Sequence, residues 1–253
     1  MHKRPDASMT PSDPSFTAPA AKAALVQCTT AMMPCLCCGG FELSRCLNSA
    51  GFPLAEIRNV IVTHRHFDHT GGMMALFMAN MPLDIHALDE TYAGICEMKA
   101  GCIPDTELHS EVRHHRVQFG EKRDIGGFSA EFVQVEHRVP TVAIRITHRG
   151  RTIAFSADSL PCEGLTAVAR DADLFICDTM CADRDGENAR KRTRSLMHPT
   201  AREAAEISHR AGVHRLACVH IARFGSPQNI LEEAQEGFRG VVEVPDDGYR
   251  YLL

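Results

Sequence analysis

Four residues of metal-binding type lie close together in the segment IVTHRHFDHTGG at positions 61–72, namely His64, His66, Asp68 and His69. They follow an apolar run and precede two glycines. Zn²⁺ accepts imidazole nitrogen and carboxylate oxygen as ligands, and a catalytic zinc site keeps at least one position open to water. A loop that leaves a buried strand can direct His64 and His66 to one side and Asp68 and His69 to the other. The segment therefore predicts part of the ligand set of two metal sites. The alternative is a polar turn with solvated or helix-capping histidines, which suits a single histidine better than this cluster.

The pattern HxHxDH followed by Gly-Gly, at the end of an apolar strand, resembles the metal motif of the metallo-β-lactamase superfamily. This resemblance implies three further ligands, and matching residues follow in the expected order: His137 in EFVQVEHRVP, Asp158 in IAFSADS and His220 at the end of LACVH. Taken singly, the two histidines could be ordinary strand-end residues and the aspartate a turn residue. Their joint occurrence after HxHxDH favours ligation. The resemblance implies one metal held by His64, His66 and His137, a second held by Asp68, His69 and His220, and Asp158 shared between them.

The expected cofactors are two Zn²⁺ ions, with Mn²⁺ or iron as alternatives. A pair of such ions lowers the pKa of a bridging water to about 7, orients the electrophile and offsets the charge of an in-line displacement. The expected nucleophile is therefore a metal-bridging hydroxide. Asp68, besides ligating, is expected to accept a hydrogen bond from this hydroxide and fix its direction.

Three longer segments resemble the ribonuclease Z and phosphodiesterase-like branch of that superfamily, at residues 36–69, 198–224 and 244–253. In that branch a histidine matching His198 lies near the scissile phosphate and is held by an acidic residue, for which Asp178 in CDTM is the candidate. A protonated imidazole there would donate to the leaving-group oxygen or to the equatorial oxygens. The alternative is that His198 only caps the following helix.

The basic run before this histidine permits two interpretations. Its residues are Arg190, Lys191, Arg192 and Arg194, which could contact phosphate or form a solvated loop. The branch usually has an aspartate where this chain has Cys37, which puts the usual support of the histidine loop in doubt. No long Gly/Pro-rich insertion, of the kind that grips tRNA in ribonuclease Z, lies between His69 and His137.

These features predict a metal-dependent hydrolase, most consistent with a phosphodiesterase acting on a small or nucleotide-like substrate. An extended nucleic acid is a less favoured partner. The same fold also serves thioester, lactone and β-lactam hydrolases and mononuclear iron dioxygenases of sulfur compounds, so fold alone does not name the bond that is cleaved. A degenerate metal-binding protein without activity is a further alternative.

The elements that must position these residues alternate strands with helices along the whole chain. Short β-type runs precede the histidine loop, antiparallel runs occupy the middle, and the helix PTAREAAEISHRAG at residues 199–212 follows a charged loop. A sheet-on-sheet core with helices outside fits this order better than a barrel. With the resemblance, it predicts an α/β (α+β) fold, a four-layer αββα sandwich. Residues 1–21 read as a disordered Pro/Ser/Ala-rich leader and 22–253 as a single domain.

Composition excludes several other classes of protein. The chain has 253 residues, 44% of them hydrophobic and 23% charged, which is typical of a globular protein. A net charge of -5 argues against a broadly basic nucleic-acid-binding face. No apolar run is long enough for a membrane span, and the N-terminus does not resemble a signal peptide. The 11 cysteines are therefore expected as thiols in the cytoplasm. By analogy with relatives of the family, a homodimer is compatible with the sequence.

Overall fold

The computed structural model describes residues 24–28, 31–37, 43, 54–104, 107, 111–246, 249 and 251, the first two ranges as backbone only. The predicted leader and the side chain of Cys37 therefore lie outside the described part of the chain. The apolar spacing of FELSRCLNSAGF at residues 41–52 predicts a helix, and this segment also lies outside the described part apart from Leu43.

Two β-sheets form the centre of the described structure. The first has the strand order β1-β2-β3-β4-β5, in which β1 and β2 are antiparallel and the remaining neighbours are parallel. Its strands are β1 (Ala24–Cys28), β2 (Ala31–Cys37), β3 (Asn59–Ile61), β4 (Leu83–Ala87) and β5 (Val112–Arg116).

The second sheet has the order β12-β11-β10-β9-β8-β7-β6. Strands β6 to β9 are antiparallel hairpin neighbours, whereas β9 to β12 pair in parallel. Its strands are β6 (Lys122–Ile125), β7 (Phe128–Val135), β8 (Thr141–His148), β9 (Arg151–Phe155), β10 (Leu174–Asp178), β11 (Arg215–Val219) and β12 (Val241–Glu243).

Helices connect many of these strands. They are α1 (Phe67–Thr70), α2 (Met73–Met78), α3 (Asp89–Cys102), α4 (Glu163–Ala169), α5 (Glu187–Leu196), α6 (Ala201–Ala211) and α7 (Pro227–Gly237), with short 3₁₀ turns at Leu54–Glu56 and Asp183–Asp185.

Three apolar cores define four layers. On β3 and directly after it, Ile61 points into the core between the sheets, whereas Val60 and Val62 point into a core with α2 and α3. This alternation follows from the two-residue period of a strand. A third core lies between the second sheet and α4, α6 and α7, with Phe175 and Leu216 from the sheet. The predicted αββα sandwich is therefore confirmed.

The ends of the strands determine where the functional residues lie. β3 leads into the histidine loop, and β9, β10 and β11 run parallel and end at Phe155, Asp178 and Val219. The carboxyl ends of neighbouring parallel strands meet at one edge of a sheet. A backbone hydrogen bond from Val142 N to Thr63 O, 3.1 Å long, joins β8 to the loop after β3. The two sheets thus bring their loops together at one end.

The structure differs from the sequence-based expectation in two places. The charged segment 182–195, expected as a loop, contains the ten-residue helix α5. Its arginines, lysine and glutamate are good helix formers, and the charged composition concealed this propensity. The segment HRVQF at residues 115–119 predicts a strand, but the observed strand lies earlier in the chain: β5 begins at Val112 and ends at Arg116.

No helix in the described ranges is both long and apolar enough to cross a bilayer. The cysteines with described side chains are free thiols, namely Cys96, Cys102, Cys162, Cys177, Cys181 and Cys218.

A buried histidine makes the stability of the first sheet dependent on pH. The His86 ring is 5% exposed, stacks on His115 at 4.7 Å between centroids, and places Nε2 3.2 Å from Asn59 Oδ1. Burial, assisted by the positive charges of His115 and Arg123, lowers the pKa of His86 from 6.5 to about 4. The unfolded chain therefore binds the extra proton in this pH window. Stability contributed by neutral His86 is complete above pH 6.5 and is lost as the pH falls towards 4.

We expect His86→Gln to reduce the acid sensitivity of folding. Between pH 7.5 and pH 5 the wild-type protein should lose up to about 2 kcal/mol more stability than the variant. Urea unfolding of chelator-treated protein at the two pH values measures this difference. The control is His214→Gln, whose side chain is 73% exposed. Equal acid sensitivity of His86→Gln and the wild type would contradict the expectation.

Candidate metal centre

The seven side chains implied as metal ligands converge at the loop end of the two sheets. Their donor atoms form two overlapping groups, and within each group all atoms lie within 4.8 Å of one another. The first group contains His64, His66, His137 and Asp158, and the second contains Asp68, His69, Asp158 and His220. Asp158 is the one residue common to these two groups, as the resemblance implies.

The histidine loop reaches both groups because it changes conformation in its middle. His64 and His66 leave β3 in extended backbone, whereas Asp68 and His69 lie in the helical turn α1. His66 O accepts hydrogen bonds from His69 N at 3.0 Å and from Thr70 Oγ1 at 3.0 Å. The turn therefore directs the second pair of side chains away from the first.

The other ligands come from the ends of three strands in the second sheet. His137 follows β7, Asp158 follows β9 and His220 follows β11. His220 has a φ of 64°, and Ala157, directly before Asp158, has a φ of 55°. Residues other than glycine in this left-handed region cost of order 1–3 kcal/mol each, and such residues are concentrated at functional sites.

In the first group, three imidazole nitrogens and one carboxylate oxygen face a common point. His66 Nδ1 lies 3.1 Å from both His64 Nε2 and His137 Nε2. Asp158 Oδ2 lies 3.7 Å from His64 Nε2 and 3.9 Å from His137 Nε2. Neutral imidazoles that aim ring nitrogens at one another cannot all be paired by shared protons. A cation between them accepts all these lone pairs, so this donor set fits a metal ion.

The second group has the same character with one more carboxylate. His69 Nε2 lies 3.1 Å from Asp158 Oδ2 and 3.8 Å from Asp68 Oδ2. His220 Nε2 lies 3.4 Å from Asp68 Oδ2 and 3.7 Å from Asp158 Oδ2. Two nitrogens and two carboxylate oxygens at these spacings also suit a divalent cation.

The outward nitrogens of three histidines are held by neighbouring groups. His64 Nδ1 lies 3.1 Å from Thr63 Oγ1, and His137 Nδ1 donates to the backbone oxygen of Met197 over 3.3 Å. His220 Nδ1 donates to Asp178 Oδ1 over 3.2 Å. A proton fixed on Nδ1 leaves the Nε2 lone pair free for a metal, as is usual for histidine ligands.

The histidines of the first group have lowered pKa values and are neutral at physiological pH. Burial lowers the pKa of His64 well below its ordinary value, and the neighbouring His69 lowers it further against the opposing effect of Asp158. Burial likewise lowers the pKa of His137 to about 4. Neutral imidazole is the form that ligates metals, so these residues are ready to bind without losing a proton.

In the second group the carboxylates and the histidines shift the pKa values of one another. Burial alone would lower the pKa of His220, but Asp158, Asp178 and Asp68 outweigh it and raise this pKa to about 10. Burial would raise the pKa of Asp158, but His220 and the other histidines hold it well below its ordinary value.

His198 and Asp178 lie beside the second group. The His198 ring is 5% exposed, and its centroid is 5.1 Å from that of His220 and 5.3 Å from that of His137. His198 Nδ1 donates to Asp178 Oδ2 over 2.6 Å. Helix α6 is capped by Thr200, so the interpretation of His198 as a helix cap is wrong.

Asp178 has a second contact that the sequence interpretation missed. Its two oxygens accept hydrogen bonds from two different histidines, Oδ2 from His198 and Oδ1 from His220. The parallel pairing of β10 with β11 brings Asp178 next to His220, and no local sequence signal indicates this pairing.

The basic run is mostly paired or exposed on α5. Arg194 binds Glu203 and Lys191 binds Glu187. The guanidinium of Arg192 lies 5.3 Å from the ring centroid of Phe224, which follows His220 by four residues. Arg192 is therefore the member of the run that contacts a loop of the site. Its contact with Phe224 was not anticipated from the sequence.

Comparisons with known proteins agree with this geometry. Residues 43–221 match a family model described as a beta-lactamase superfamily domain. The probable metallo-hydrolase YhfI of Bacillus subtilis is 26% identical over 215 residues, which is 84% of each protein. The crystal structure of YhfI, described as a metallo-beta-lactamase fold protein, superposes with a TM-score of 0.77 over 91% of both chains at 24% identity.

Ribonuclease Z proteins are also similar to this chain. Ribonuclease Z of Halorubrum lacusprofundi is 46% identical over 101 residues, which is 39% of this chain but only 31% of that protein's length. The crystal structure of the human short-form tRNase Z superposes with a TM-score of 0.72 over 92% of this chain and 93% of its own, at 18% identity.

We expect Asp158→Ala to lose both metals, because Asp158 contributes to both donor groups. Elemental analysis of the purified variant should give well under one metal per chain, against about two for the wild type. The control is Asp173→Ala, which removes a carboxylate that binds Arg151 and the backbone of Thr152 instead. Wild-type metal content in Asp158→Ala would refute the shared role.

Proposed function

This chain belongs to the beta-lactamase superfamily and is a metal-dependent hydrolase related to ribonuclease Z; we propose that it is a dinuclear zinc phosphodiesterase acting on a small or nucleotide-like substrate. The observation that carries the proposal is the His198–Asp178 pair beside two complete, overlapping donor groups. The donors suit zinc best, because they are imidazole and carboxylate groups.

The cations would supply a water of lowered pKa and positive charge opposite the developing negative charge of the phosphoryl oxygens. Asp68 is the most exposed carboxylate of the donor set, with 31% of its side chain accessible. It is therefore the residue placed to accept a hydrogen bond from the attacking water and to fix its direction.

His198 is the proposed proton donor to the leaving-group oxygen. With Nδ1 bound to Asp178, Nε2 is the nitrogen that remains to carry a proton to the substrate. The hydrogen bond to the carboxylate of Asp178 fixes the orientation of the ring. A thiolate leaves readily without taking up a proton, so this donor favours the phosphodiester over thioesters. Lactones and β-lactams also expel a basic leaving group, and the hydrolysis panel described below separates them from the phosphodiester.

The side chains around the candidate metal centre favour a substrate that carries negative charge and a planar ring. Arg192 stacks on Phe224, and Arg138 follows His137 and donates to the backbone oxygen of Ser195 at the end of α5. Both guanidinium groups lack a carboxylate partner in the described structure. A guanidinium binds phosphate, and an aromatic ring stacks on a nucleobase.

The size of the substrate is a separate part of the proposal. The segment between His69 and His137 consists of α2, β4, α3, β5, β6 and β7 with short connections, apart from residues 105–106 and 108–110, which lie outside the described part. These elements belong to the sandwich itself. We therefore favour a small substrate over tRNA.

We also propose a cytoplasmic location, which the free thiols of the described cysteines support.

We expect chelator-sensitive phosphodiesterase activity, restored by Zn²⁺. A hydrolysis panel of a nucleotide aryl phosphodiester, a thioester, a lactone and a β-lactam, each assayed before and after chelator treatment, measures this preference. Turnover of the acyl compounds with none of the phosphodiester would contradict the proposal. A zinc-free protein that contains one iron per chain would instead indicate the oxygenase alternative.

We expect His198→Ala to retain its metals and to lose about 10²–10⁴-fold in kcat, the usual contribution of a general acid. Metal content and kcat are measured on the same preparation. His209→Ala on the exposed face of α6 is the control. A wild-type rate in His198→Ala would exclude the proton-donor role.

A further inference from the structure

We propose that Glu233 is a positioning residue for the His198–Asp178 pair, although it lies on α7 and touches neither residue. The inference rests on the proposed role of His198 as proton donor. It concerns how the chain holds that donor in place, through the backbone of the two segments that carry the pair.

Glu233 is an ionisable side chain that is only 1% exposed. Its carboxylate accepts three backbone hydrogen bonds: Oε1 from Asp183 N at 2.9 Å and Arg202 N at 3.1 Å, and Oε2 from Arg184 N at 3.2 Å. A buried carboxylate is costly unless its oxygens are hydrogen-bonded, and bonds to a charged acceptor are stronger than neutral ones. The side chain therefore binds the two segments firmly at one point.

Those two segments carry the catalytic pair. Asp183 and Arg184 belong to the 3₁₀ turn that follows Asp178 by five residues, and Arg202 lies in the first turn of α6, four residues after His198. All three donors are N–H groups at the start of a helical element, where a negative charge is stabilised. Glu233 thus joins two helix starts with one carboxylate.

Between Glu233 and the pair, the segments lie side by side in a fixed register. Met180 N donates to Pro199 O over 3.2 Å, and Ala201 N donates to Cys181 O over 2.9 Å. A parallel bridge pairs Cys181 with Thr200. With Glu233, these contacts form a short ladder that has the His198–Asp178 bond at one end and the carboxylate at the other.

The register of this ladder sets the distance between donor and acceptor. The backbone advances about 3.3 Å per residue in extended chain, so a slip of even a fraction of a residue would break the 2.6 Å contact between His198 Nδ1 and Asp178 Oδ2. The backbone hydrogen bonds of this bridge and the ion pair between Arg202 and Asp183, 2.9 Å long, oppose such a slip. The three bonds to Glu233 add to these contacts and lie in the buried interior.

The first test is a spectroscopic one that does not depend on turnover. A proton held between His198 and Asp178 at 2.6 Å gives a strongly downfield resonance, assigned by its absence in His198→Ala. We expect Glu233→Gln to shift or remove this resonance, because the amide places donors against the Arg184 N–H. Glu232→Gln, on the same helix and bound to the Arg184 side chain instead, should leave it unchanged.

The second test uses two thymidine 5′-phosphodiesters that differ only in the leaving group, phenol or p-nitrophenol. A proton donor matters most for the poorer leaving group. We expect Glu233→Gln to lower kcat about 10-fold for the phenyl ester and less than about 2-fold for the p-nitrophenyl ester, with metal content unchanged. In a His198→Ala background, Glu233→Gln should have no further effect on the phenyl ester.

An unchanged resonance, equal losses for both esters, or losses that add to those of His198→Ala would each overturn the proposal. If Glu233→Gln does not fold, Glu233→Asp, which keeps the charge but shortens the reach, is tested in the same way. If the wild-type protein hydrolyses neither ester, the proposed function fails, and the resonance alone then decides whether Glu233 positions the pair.

Discussion

The candidate site depends on one buried carboxylate that faces four histidines at once. Asp158 Oδ2 lies 3.1 to 3.9 Å from ring nitrogens of His64, His69, His137 and His220. Imidazoles packed this closely lose solvation and repel one another if protonated, so the negative charge at their centre is what makes the arrangement tolerable. To bring these residues to one point, three strands of the second sheet and one of the first must end together. The layered architecture can be understood as the scaffold that meets this requirement.

Much of this could be predicted from the sequence, for identifiable reasons. The ligands at 64–69 lie within one loop, so their spacing alone indicates a metal site. The distant ligands His137, Asp158 and His220 were accessible only through resemblance, because local periodicity carries no information about which strand ends meet. The sandwich followed from the alternation of strands and helices. The functional roles of all these residues stay predictions until metal content and turnover are measured.

The remainder could not be predicted, for physical reasons that differ from case to case. Helix α5 was not predicted because its sequence is highly charged. Arginine and lysine are common in exposed loops and are also good helix formers, so they indicate neither structure by themselves. The double contact of Asp178 depends on the register between β10 and β11, which the sequence of neither strand determines. Glu233 occurs in a helix with other exposed glutamates, and nothing local distinguishes the one that is buried. Such contacts join segments 20 to 50 residues apart and arise only when the fold is complete.

The left-handed residues have a consequence for engineering. Ala157 and Met197 adopt this backbone conformation directly before Asp158 and His198, and neither side chain is a donor. Glycine at either position would adopt the same geometry without steric cost, at the expense of greater freedom in the denatured ensemble. Directed changes at 157 and 197 therefore offer a way to alter the rigidity of two loops while every ligand is retained. That separation of stiffness from chemistry is a useful starting point for redesigning the specificity of this scaffold.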